Sequence, residues 1–135
     1  MKLYSDDLIE LTYTAAQDLL YAAWQEQRPY STAEVKKAFM AIVASAREHN
    51  IKRILLNFSE NTKDFLESEY KALLTQLAVG LLHTMIEKIA CIGPGHSERE
   101  VRIGASFEEI RTASSIALQF RYFSNRAEAF QWLIE

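Results

Sequence analysis

Apolar and polar residues alternate at the start of the chain: Ile9, Leu11 and Tyr13 interleave with Glu10, Thr12 and Thr14. A period of two predicts a strand with one buried face. Ala16-Gln17-Asp18 reads as a turn. In the next stretch Leu20, Ala22 and Trp24 alternate with Leu19, Tyr21 and Ala23, so both faces are apolar. Residues 8–25 therefore read as an opening hairpin, its second strand inside a sheet and its first at the edge. Pro29 marks the loop that follows.

From residue 31 the period changes to that of a helix. Val35, Phe39, Ile42 and Ala46 form one apolar stripe, while Lys36, Lys37, Arg47 and Glu48 face away. Ser31 and Glu34 have capping-box spacing, and Asn50 suits the position just past the helix end. Residues 53–58 predict a buried third strand and 64–85 a second long helix. Its stripe is Leu66, Tyr70, Leu73, Leu77 and Leu81. Val79, Leu82 and, if the helix continues, Ile86 lie off that stripe and form a surplus apolar strip, a candidate interface. A short strand over 87–93, a weaker helix over 106–118, a strand over 119–124 and a closing helix over 125–135 complete the order. Asn125 and Glu128 form a capping pair, and Phe130 and Leu133 face inward. The expected fold is α/β: one domain over 1–135, with a mixed, mostly parallel five-strand sheet and about four helices.

Composition narrows the function. Fifteen Lys and Arg against eighteen Asp and Glu give a net charge of −3. Lys36-Lys37 and Lys52-Arg53 are the only basic dipeptides. That is no phosphate-binding face, so nucleic acid is not expected as a partner. A single cysteine, Cys91, excludes an internal disulfide framework. Apolar runs such as 77–82 stop far short of the ~20 residues a membrane helix needs, and the first residues are too polar for a signal-peptide core. A cytoplasmic protein without membrane insertion is expected.

The chemical candidates are few. His49, His83 and His96 fall in separate elements with no ligand-pair spacing, so no metal or cofactor is expected. Cys91 sits in an apolar strand, which favours an inert core thiol. The loop IGPGHSERE (92–100) offers Gly93, Gly95, His96 and Ser97. Its glycines would let backbone N–H groups approach an anion, although two glycines around a proline more commonly make a turn. No nucleophile elbow or dinucleotide fingerprint is present, and the chain is not expected to be an enzyme.

The stretches LLYAAWQ (19–25), KRILLNFSENT (52–62) and FRYFSNRAEAFQWL (120–133), in that element order, resemble the SpoIIAA-like, or STAS-like, domains. More closely, the chain looks like the short stand-alone proteins of this fold found in bacteria of the Bacteroidetes type. In the anti-sigma-factor antagonists of the family, a phosphorylatable Ser follows the third strand. The resemblance carries that role to Ser59 or Thr62. The local sequence departs from the family's pattern: no Gly lies near, and Glu60 adjoins Ser59. In the alternative reading, these hydroxyls hold a turn. With no catalytic constellation and a surplus apolar strip at Val79, Leu82 and Ile86, the expected function is non-enzymatic, regulatory protein binding, as a homodimer or with a protein partner. A carrier of a small apolar ligand, in a cavity lined by Leu73, Leu77, Trp24 and Phe58, is the second expectation.

Overall fold

The computed structural model describes residues 1–26, 28–57, 65–92, 102, 105 and 118–135. The order is β1 (Lys2–Ser5), β2 (Ile9–Thr14), β3 (Leu19–Trp24), α1 (Thr32–His49), β4 (Arg53–Asn57), α2 (Glu67–Leu81), β5 (Lys88–Ile92), β6 (Gln119–Phe123) and α3 (Arg126–Ile134). The chain is α/β, as the pattern implied, but the described residues form a sheet of six strands rather than five. Three helices have both bounds among the described residues, and Arg102 and Ala105 are helical as well, against about four helices expected. All but Leu118 of the helix expected over 106–118 lies outside the described residues.

The additional strand is β1. It pairs antiparallel with β2, with a register shift between Lys2 and Tyr4. The terminal amine donates to the Tyr13 carbonyl at 2.9 Å, and the Tyr13 N–H donates to the Met1 carbonyl at 2.7 Å. These bonds hold a strand of only four residues in place. β1 is therefore the edge, and β2 lies one place inside it.

Strands follow one another across the sheet in chain order. β1, β2 and β3 form an antiparallel meander, and β3, β4, β5 and β6 are parallel. Each parallel connection steps one place in the same direction. Right-handed crossovers then put the connecting helices on one face. α1 and α2 do pack there, burying Val35, Phe39, Ile42, Tyr70, Leu74 and Leu77 with strand residues such as Leu20, Ile54, Leu56 and Cys91. Leu19, Leu55 and Ala90 point to the opposite face, where α3 covers them with Ala129 and Leu133.

Local chemistry fixes the helix ends. The Ser31 hydroxyl accepts from the Glu34 N–H at 3.1 Å, and the Glu34 carboxylate accepts from the Ser31 N–H at 2.9 Å. Asn50 closes α1 in the left-handed region at φ 54°. Asn125 accepts from the Glu128 N–H at 2.8 Å and opens α3. α2 is shorter than its pattern implied. Leu66 lies outside the helix and 68% exposed, its N–H donating to the Glu69 carboxylate at 2.9 Å. Phe130 is half-buried and packs against the cluster in which Ala129 and Leu133 are fully buried.

Candidate functional site: a groove between the two long helices

α1 and α2 pack against each other on the sheet, and Gly80 of α2 faces Val43 of α1 across the contact. A Cβ on Gly80 would stand 3.0 Å from Val43 Cγ2 and 3.3 Å from Cγ1. Beside this contact the helices part into a groove of about 300 Å³. The α1 wall is Lys36, Met40, Val43, Ala44 and Arg47, the floor includes Phe39, and α2 supplies Leu73, Gln76, Leu77 and Gly80.

The wall residues on α1 are set by helical spacing. Lys36, Met40, Val43 and Arg47 stand at i, i+4, i+7 and i+11, which puts them on one face. That face flanks the buried stripe of Val35, Phe39, Ile42 and Ala46, about 100° round the helix from it. Met40 is 64% exposed, and Val79, next to Gly80 on α2, is 55% exposed. Neither Lys36 nor Arg47 makes an ion pair with any described residue. The groove is thus an apolar trough with two cations along one wall that have no ion-pair partner among the described residues.

Of the three interface candidates in the sequence, Val79 and Leu82 are exposed. Ile86 is not: it is 6% exposed and belongs to the main core. The helix ends at Leu81, and the Thr84 hydroxyl then turns the chain. It donates to the Leu81 carbonyl at 2.7 Å and accepts from the Ile86 N–H at 3.2 Å. That turn carries Ile86 inward and leaves Met85 exposed instead. Ser59 and Thr62 follow β4, and Gly93, Gly95, His96 and Ser97 follow β5, but all six lie outside the described residues. Leu73, Leu77 and Trp24 are packed in the main core, while Phe58 lies outside the described residues. Cys91 is buried.

A second, wider cleft of about 810 Å³ opens beyond the carboxyl end of β3, lined by Asp6, Asp7, Glu26, Arg28, Glu34 and Lys37 among others. Its carboxylates are largely committed to structure. Asp6 accepts from the Tyr4 hydroxyl at 2.5 Å and from the Leu8 and Ile9 N–H groups at 2.8 and 2.9 Å. Burial pushes its pKa up, but these hydrogen bonds and the Lys37 charge outweigh it and hold the carboxyl below its ordinary value. Hydrogen bonds from the Arg28 guanidinium and the Ser31 N–H lower Glu34 to about 2. Arg28 is engaged with both Glu26 and Glu34 and stacks over Tyr30 at 4.4 Å. This network ties the loop before α1 to its first turn.

Among the described residues, no group of His, Cys, Asp and Glu could hold a metal ion, and no helix is long and apolar enough to cross a membrane. No protein-family model, no curated protein and no solved structure matches the chain.

Sequence reasoning flagged α2 as the exposed apolar element but overlooked the α1 wall. The signal was available. Met40 is a large apolar residue on the face that also carries Lys36 and Arg47, where an ordinary solvated helix face would be polar throughout.

Proposed function

We propose that this chain is a non-enzymatic protein-binding domain of the SpoIIAA-like kind with a regulatory role, and that the α1–α2 groove is where it is touched. One observation carries the reading. Met40 stands exposed on the wall of a trough whose interior is Phe39, Val43, Leu73 and Leu77, and Val79, the chain neighbour of the lining residue Gly80, is exposed on α2. Apolar side chains held at a surface around a concave trough gain from being covered, at ~25 cal/mol per Å² of apolar area removed from water. The strand–helix alternation after the opening strands supports the family reading. The committed carboxylates of the second cleft make it a weaker candidate for chemistry.

The test compares wild-type protein with Met40→Asp and Val79→Asp as baits in extracts of the native host, alongside light scattering for self-association. The expected result is one stoichiometric associate, a partner or a second copy, retained by wild type and lost with either variant. A bound set unchanged by both variants, with wild type strictly monomeric, would overturn the reading.

A further inference from the structure

Resting on that docking role, the structure assigns the groove a specific class of occupant: an acidic amphipathic helix. The α1 wall reads Lys36, Met40, Val43, Arg47. Its cations are eleven positions apart, which at ~1.5 Å per residue is ~16 Å along the axis and three full turns. A helix laid along the trough meets this pattern with the same spacing: acidic groups at i and i+11, apolar anchors at i+4 and i+7. The spacing is palindromic, so it can be met in either chain direction. An extended segment fits less well. At ~3.3 Å per residue the same span is five residues, an odd number, which turns its two acidic side chains to opposite faces.

Charge also argues against a second copy in this groove. Two α1 faces brought together antiparallel about a two-fold axis would set Lys36 against Arg47 at both ends, like charge on like. An acidic helix instead satisfies both cations, and neither has to give up an existing ion pair among the described residues.

The test uses the full chain and three labelled helical peptides, read by fluorescence anisotropy and by the Met40 and Val43 methyl resonances. The first peptide carries Glu at i and i+11 with Leu at i+4 and i+7. The second replaces both Glu by Lys, and the third scrambles the first. The acidic peptide should bind with methyl shifts at Met40 and Val43, and salt should weaken it. The double variant Lys36→Glu/Arg47→Glu should lose at least about tenfold for the acidic peptide and gain for the Lys peptide. These surface changes leave the core residues untouched. Equal binding of both charged peptides at the groove, insensitive to the double variant, would overturn the acidic class and leave the docking role standing. No methyl shift with any peptide, together with an associate lost from the Met40→Asp bait, would also overturn the peptide class alone. No methyl shift and no such associate would overturn both.

Discussion

Arg53 and Lys88 are register partners on β4 and β5, and both direct their charge at the carboxyl end of α3. Arg53 Nε donates to the Leu133 carbonyl at 2.6 Å, and its Nη1 donates to the Gln17 carbonyl at 2.7 Å. Lys88 Nζ donates to the Trp132 carbonyl at 2.9 Å and lies 5.1 Å from the Trp132 ring centre. Two cations beneath a helix end satisfy its free carbonyls and complement its dipole. A helix of nine residues is not stable alone, so these contacts and the Leu133 packing keep it docked.

Arg53→Met should therefore cost about 2 kcal/mol and Lys88→Met about 1 kcal/mol in urea unfolding, because charge-assisted hydrogen bonds to carbonyls are lost while the stems remain. Amide exchange over 127–134 should accelerate more than exchange in α1. Stability within about 0.5 kcal/mol of wild type in both variants would contradict the capping role.

Ile86 and Val79 divide cleanly by burial. Ile86→Ala should cost about 2–4 kcal/mol, since it empties part of the core. Val79→Ala should stay within about 0.5 kcal/mol of wild type. Thermal unfolding of both decides the matter, and equal costs would place Ile86 at the surface after all.

Gly80→Ala tests the helix contact. Helix propensity alone would stabilise the variant by ~1 kcal/mol. The new methyl would meet Val43 at 3.0 Å, and a β-branched side chain on a helix has little rotamer freedom to yield. The expected outcome is no gain, or a loss of up to about 2 kcal/mol. A full 1 kcal/mol of stabilisation would mean that the helices stand further apart.

What could be read from the sequence depended on run length. α1, with its Ser31–Glu34 box and its Asn50 end, was fully legible because eighteen helical residues repeat one period many times. β3 was legible because both of its faces are apolar and it lies inside the sheet. β1 was not, since four residues are too few to establish an alternation and its pairing is set by β2. Ile86 was misplaced by extending a helical period through a turn that Thr84 makes with its side chain. Arg53 reads as half of a basic dipeptide, and nothing local tells that one of its partners lies eighty residues onward in α3. The groove depends on two helices meeting, which no single stretch encodes.

The Asp6 turn gives stability a pH dependence. Its carboxyl is held below the ordinary value in the fold, so its contribution is present at pH above ~3.9 and is lost as pH falls through the folded value. Asp6→Asn should be less stable than wild type by about 0.5–1 kcal/mol at pH 7, a small figure because the site is open to solvent. The gap should close progressively as the pH drops below ~4. Urea midpoints across pH 2–7 would show it, and a constant gap would contradict it.

The most direct test of the groove is a photoreactive benzoylphenylalanine placed at position 40, with the same residue at position 16 on the exposed hairpin turn as control, irradiated in the native host. A discrete adduct at position 40 that is absent at position 16 is the expected result. Equal labelling at both positions, or none at position 40, would contradict the claim that this face is a recognition surface.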